Sequence, residues 1–272
     1  FGHNRHRIRA HRGTCLRHNA CSQHNARTER VRACAQVKRS LSSTGGTVAA
    51  THAVCNRTPG APRFAGHLAG GTHHAFADRG EGFCVFNDIA VAACVALRDY
   101  KESVQRVLIV DLDVHQGNGC AAIFADNPNV FTFSMHCAGN YFSKKQNSDI
   151  DVEVQPGATD AEYLEILHSH LGNLFEQVRP QLTFFQAGVD PHEADAFGKL
   201  KISSAGLKRR NRLVYKEAAR HNSLLVATMG GGYPKDLDQE SASFFQVCQA
   251  HMDVYRACVA MHSHAWTEQL SH

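Results

Sequence analysis

The most restrictive feature of the sequence is an alternation between short, continuously apolar segments and segments of helical periodicity. Strands are predicted at 106–112, 130–136, 182–187 and 224–229, and helices at 87–99, 117–125, 159–179, 204–221 and 238–261. Strands that are apolar on both faces and alternate with helices favour a parallel sheet covered by helices. In such sheets, the loops that follow the carboxyl ends of the strands form the ligand site.

Length and composition narrow the class further. The chain has 272 residues, of which 43% are hydrophobic and 20% are charged, as in a globular protein with a sizeable core. No segment approaches the roughly 20 apolar residues of a membrane helix, and none resembles a signal peptide. The ten cysteines are scattered without a C-x-x-C pair, which favours a reducing compartment over a disulfide framework.

The basic charge is concentrated in residues 1–40, where ten Lys or Arg accompany the single acid Glu29. This His-rich segment shows no apolar periodicity, so we expect it to be disordered or atypical. A nucleic-acid arm and an organelle-targeting segment are the alternatives. Residues 41–272 are then predicted to form one catalytic domain, since no linker long enough to divide them is present.

Polar residues follow two of the predicted strands. Asp111, Asp113 and His115 come at alternate positions after the apolar run 107–110, and Asp190 follows the strand at 182–187. The carboxyl ends of parallel strands meet at one sheet edge, so these side chains can reach one point. One His and two carboxylates suit a catalytic zinc site with an open position, although Mn or Fe(II) accepts similar ligands.

Two further motifs fall at the same predicted edge. Adjacent His73 and His74 lie in the Gly-rich stretch GGTHHAFADRGEGF, and MGGGY ends the strand at 224–229 with Tyr233. Each motif alone has a simpler explanation, since paired histidines are often solvated and a Gly run followed by Tyr is often a turn. Together with the metal ligands they supply an acid, a base and a hydroxyl for an oxyanion.

These motifs, in their order along the chain, resemble the zinc-dependent histone deacetylases and their bacterial relatives. GGTHHAFADRGEGFCVFND, DLDVHQGNG, FFQAGVD and GGGY carry the resemblance, which runs from about residue 66 to about residue 240 and is most like class IV. It implies a single three-layer α/β domain of the arginase/deacetylase fold, with an eight-stranded, mainly parallel sheet between helices. It also implies hydrolysis of the amide of an acyl-lysine.

The resemblance further implies roles for individual residues. One Zn²⁺ per chain would be held by Asp113, His115 and Asp190. The paired acid and base, the orienting residues and the oxyanion donor would be His73, His74, Asp111, Asn118 and Tyr233. Asn118 lies where some classes have Asp, so a less basic His74 is expected.

The same resemblance places a substrate channel and a second ion. Gly82 would offer its backbone to the substrate, and Phe83 with either Tyr141 or Phe142 would enclose the lysine stem. Core packing is the alternative for the two phenylalanines. Ser134 would contribute to a structural K⁺ site with Asp111, Asp113 and His115.

The expected partners are acyl-lysine proteins such as histone tails, with co-regulator proteins possible, and neither direct nucleic-acid binding by the core nor a membrane is expected. A nuclear or cytoplasmic location is expected. Three other functions remain open: a deacetylase of small acetylated amines, a metal-bound scaffold without activity, and a two-manganese ureohydrolase. The last fits less well, because it requires a D-x-H-x-D motif and a later D-x-D.

Overall fold

The computed structural model of the chain describes residues 43–56, 63–141 and 144–260. Its helices are α1 Ser43–Cys55, α2 Asp88–Asp99, α3 Asn118–Phe124, α4 Asp160–Val178, α5 Ser204–Arg220 and α6 Ala242–Ala260. Its strands are β1 Phe64–His67, β2 Val107–Asp111, β3 Val130–Cys137, β4 Ile150–Val154, β5 Leu182–Gln186 and β6 Leu224–Thr228. The segment 1–40, for which disorder was predicted, and Phe142 lie outside the described residues.

The six described strands form one sheet in the order β1-β6-β5-β2-β3-β4. All five pairings are parallel, and β2 lies between β5 and β3, so that Asp111 is level with Gln186 and Ser134. The strand order reverses direction around β2 and β5, which is where parallel α/β sheets open a ligand crevice. β2 ends at the predicted site residue Asp111, and β5 ends four residues before the predicted ligand Asp190.

Alternate residues of the central strand enter two separate cores. Leu108 and Val110 pack with residues of α4, α5 and α6, whereas Val107 and Ile109 pack with residues of α1 and α2. Because side chains alternate across a strand, a continuously apolar strand must be covered on both faces. The molecule therefore has three layers, as predicted.

Local sequence explains several helix boundaries. The Asn87 side chain accepts a hydrogen bond from the Ala90 N–H and caps α2. The Glu162 carboxylate accepts from the Thr159 N–H at 2.9 Å, which is the predicted capping box of α4. Within the part of the chain that the structure describes, no helix is long and apolar enough to span a membrane.

All the predicted strands and helices are present in the described residues, with boundaries shifted by a few residues. Two strands were missed: β1 has only four residues and contains Gly66, and β4 alternates apolar residues with exposed acids at the sheet edge. The parallel α/β class is confirmed. Six strands are described where eight were expected.

Candidate metal centre and active site

Three side chains converge at the carboxyl ends of β2 and β5. Asp113, His115 and Asp190 each present one donor atom, and these atoms lie within 4.8 Å of one another. The His115 Nδ1 lies 3.2 Å from Asp113 Oδ1 and 3.1 Å from Asp190 Oδ2. Donor atoms bound to one zinc ion at about 2.1 Å would have a similar spacing. The geometry therefore fits the predicted three-ligand set.

Backbone N–H groups orient the carboxylates of Asp113 and Asp190. Asp113 Oδ2 accepts from the Gly231 N–H at 2.9 Å, and Asp190 Oδ1 accepts from the Val114 N–H at 2.8 Å. In each carboxylate, the other oxygen is left to face His115. A side chain at Gly231 would collide with the Asp190 carboxylate, so only glycine allows this approach.

His73 lies beside this donor set and is held by Asp111. Its Nδ1 is 2.6 Å from Asp111 Oδ2, and its Nε2 is 3.8 Å from Asp113 Oδ1. Burial opposes the protonated form, but the two carboxylates outweigh burial and raise the pKa of His73 to about 9. Without a metal ion, His73 is a cation at neutral pH.

His74 has the opposite electrostatic environment. Burial, followed by the charge of His73, lowers the pKa of His74 to about 3. Its Nδ1 lies 2.8 Å from Asn118 Oδ1, and the Asn118 amide nitrogen donates to Glu81 Oε1 at 3.2 Å. Because Glu81 can only accept, it fixes the Asn118 amide so that the oxygen faces His74. His74 therefore carries its proton on Nδ1, and its Nε2 is the unprotonated nitrogen.

A second buried carboxylate fixes the loop that carries Tyr233. Asp195 is 1% exposed; its Oδ2 accepts from the Tyr233 N–H at 2.6 Å, and its Oδ1 accepts from the N–H groups of Phe197 and Gly198. This carboxylate joins the loop after β5 to the loop after β6. The Tyr233 backbone is thereby held beside the segment that contains Asp190.

Three exposed aromatic rings, those of Phe83, Tyr233 and Phe197, lie together near the site. Phe83 is 89% exposed and Tyr233 46%, and their ring centroids lie 6.2 Å apart. Phe197 also packs against Tyr233, edge to face, with ring centroids 5.6 Å apart. Exposure excludes core packing for Phe83, which has a φ of 64°. Tyr141 is also exposed, and Phe142 lies outside the described residues.

Gly82 and Ser134, for which the sequence predicted a substrate contact and an ion site, both lie close to residues of the site. Gly82 has a φ of 53°, and a side chain there would collide with the His74 ring. Ser134 is buried on β3, level with Asp111, and its Oγ lies 2.9 Å from His136 Nδ1. Its part in a K⁺ site stays a prediction.

Three residues near the site were not predicted from the sequence. Glu81 and Asp195 act on site residues through a single hydrogen bond each, and Phe197 packs against Tyr233. Charged residues in loops are too common to be assigned without contacts. The available signal was position alone: Glu81 lies within GGTHHAFADRGEGF, and Asp195 follows Asp190 by five residues.

A parallel α/β sheet with a His-carboxylate donor set and paired histidines at its carboxyl edge is typical of metal-dependent hydrolases. The family model described as histone deacetylase domain matches residues 3–248. The chain belongs to the histone deacetylase family.

Individual relatives agree with this assignment. An uncharacterized protein of Picosynechococcus sp. is 43% identical over 219 residues, covering 80% of this chain and 71% of that protein. Histone deacetylase 2 of Arabidopsis thaliana is 35% identical over 194 residues, or 70% of this chain and 48% of that protein. The acetoin utilization protein AcuC of Staphylococcus aureus is 32% identical over 181 residues, covering 61% and 46%. The chain thus spans about half the length of the last two.

Proposed function

We propose that the protein is a zinc-dependent deacylase that hydrolyses the amide of an acyl-lysine side chain. The convergence of Asp113, His115 and Asp190 beside the histidine pair carries this proposal. Family membership supports the reaction class, and the exposed aromatic entrance suits a substrate with a long, narrow aliphatic stem. Histone tails and other acyl-lysine proteins are the proposed substrates, and co-regulators the proposed partners.

Zinc, when bound by the three donors, would polarise the acyl carbonyl and lower the pKa of a water molecule. The two histidines His73 and His74 would then accept and donate the protons of the reaction. His74, whose Nδ1 is hydrogen-bonded to Asn118, would accept the proton of the attacking water at its unprotonated Nε2. His73, oriented by its contact with Asp111, would hold a proton close to the same reacting atoms.

The Tyr233 hydroxyl would donate a hydrogen bond to the oxyanion formed by attack on the carbonyl. Its ring faces Phe83, so it lies at the entrance through which the acyl-lysine would pass. The hydroxyl is useful only when negative charge has developed on the oxygen, and it therefore acts on the transition state more than on the bound substrate.

Release of free lysine from acetyl-lysine and long-acyl-lysine peptides tests this proposal. Tyr233→Phe should lower kcat about 100-fold or more, as loss of an oxyanion donor does, with little change in zinc content. Tyr100→Phe is the matched control, because the Tyr100 hydroxyl contacts His52 in another part of the fold. Stoichiometric zinc without turnover on any acyl-lysine peptide would favour the scaffold hypothesis instead.

A further inference from the structure

A fully buried arginine lies behind the candidate metal centre. Arg210 on α5 is 0% exposed, and all five of its N–H donors have acceptors. Nη1 donates to the carbonyls of Gly188 at 2.5 Å and Leu112 at 3.3 Å, and Nη2 to that of Ala187 at 3.2 Å. Asn211 Oδ1 accepts from Nε at 3.1 Å and from Nη2 at 2.9 Å.

The partners of this guanidinium are unusual for a buried charge. Among the residues that the structure describes, every hydrogen bond of Arg210 goes to a neutral oxygen, and none goes to a carboxylate. Burial disfavours this cation, and the nearby charges of Asp190 and Asp113 offset part of that cost without a direct hydrogen bond. Its planar fork of donors is suited to holding several carbonyls at fixed positions.

The three carbonyls belong to the two segments that carry the metal ligands. The last backbone hydrogen bond between these segments runs from the Leu112 N–H to the Gln186 carbonyl. Beyond that point, the Arg210 guanidinium bridges Leu112 on one side to Ala187 and Gly188 on the other. The Leu112 carbonyl is part of the peptide bond that leads into Asp113, and Gly188 precedes Asp190 by two residues.

We infer that Arg210 is a positioning residue that sets the separation of Asp113 and Asp190, and thereby the affinity and coordination geometry of the metal centre. This inference rests on the proposed metal site. Arg210 does not reach substrate or solvent, and its donors are already used, so it does not bind a ligand itself. It continues the connection between β2 and β5 where the sheet ladder stops.

Three variants separate this role from general stabilisation. Arg210→Lys keeps the charge but loses the fork, Arg210→Met removes both, and Arg212→Met removes an exposed charge from the same helix. Each is purified, stripped with a chelator and titrated with Co²⁺ and Zn²⁺. The readouts are the dissociation constant from chelator competition, the visible absorption spectrum of bound Co²⁺, and the thermal midpoint with and without metal.

We expect Arg210→Lys to weaken metal binding about tenfold or more and to change the Co²⁺ spectrum, as loss of groups that orient metal ligands does. Arg212→Met should match the wild type in both. Wild-type affinity and spectrum in a folded Arg210→Lys, even with a lower thermal midpoint, would overturn the inference. So would tighter binding by Arg210→Met, because the buried charge would then only repel the metal. A wild-type chain that binds no metal would refute the proposed function as well.

Discussion

Asp195 provides the sharpest test of how the Tyr233 loop is held. In Asp195→Asn, one carboxylate oxygen becomes an amide group that cannot accept. If the remaining oxygen faces Phe197 and Gly198, two hydrogen bonds survive and the Tyr233 N–H loses its acceptor. The opposite orientation would lose two bonds instead of one. The first orientation is therefore the less costly, and the loss falls on Tyr233.

The magnitude follows from the kind of bond removed. A hydrogen bond to a charged group contributes about 1.5–3 kcal/mol, and the two surviving bonds become weaker when the acceptor is neutral. Because Asp195 is buried, the amide also faces the Tyr233 N–H without water to separate them. We expect the free energy of unfolding to fall by about 2–4 kcal/mol.

Urea unfolding of the chelator-treated protein measures this change without a contribution from metal binding. Asp238→Asn is the control, since exposed Asp238 accepts one backbone N–H and its neutralisation should change stability by less than about 0.5 kcal/mol. In the metal-loaded protein, Asp195→Asn should lower kcat more than it raises KM, because Tyr233 acts in the transition state. Wild-type stability and kcat would refute the role assigned to Asp195.

Two further predictions concern protons at the site. Asn118→Asp places a carboxylate beside His74 and should raise the pKa of His74 from about 3 by one unit or more, measured by NMR titration of the metal-free protein; an unchanged titration would exclude Asn118 as its partner. Metal affinity should rise at least tenfold per pH unit between pH 6 and 8. Burial lowers the pKa of His115, but its contacts with Asp113 and Asp190 outweigh burial and raise that pKa to about 10. Burial, together with the charge of Asp113, raises the pKa of Asp190 to about 8. Metal binding must displace these protons, which are bound more fully at lower pH, so a pH-independent dissociation constant would contradict the assigned ligands.

The sequence predicted those parts of the fold that depend on local pattern. The apolar run 107–110 is continuous because β2 is covered on both faces, and it identified the central strand without any tertiary information. The spacing of Asp113 and His115 after this run, and Asp190 after β5, located the donor set for the same reason. The edge strand Ile150–Val154, which was missed, lacks the continuous apolar run of the buried strands; its alternation of apolar residues with exposed acids is the pattern of a half-buried strand.

Residues that act through contacts distant in sequence could not be predicted. Arg210 lies in a helix with Lys208, Arg209 and Arg212, all exposed. Helical spacing places Arg210 on the face of Leu207 and Val214, but it does not show which groups the guanidinium contacts. The bond from Asp195 to the Tyr233 N–H joins positions 38 residues apart. Such roles depend on how the loops meet, which only the three-dimensional arrangement reveals.

The most direct test of the account is the activity of chelator-treated protein during stepwise addition of Zn²⁺, with Asp190→Ala measured in parallel. Deacylation of an acyl-lysine peptide should increase in proportion to added zinc and level off at about one zinc per chain, as expected for a single three-ligand site. Asp190→Ala should bind zinc weakly and remain inactive at the same concentrations. Full turnover by the zinc-free protein, or undiminished zinc binding by Asp190→Ala, would contradict the assignment of the metal centre.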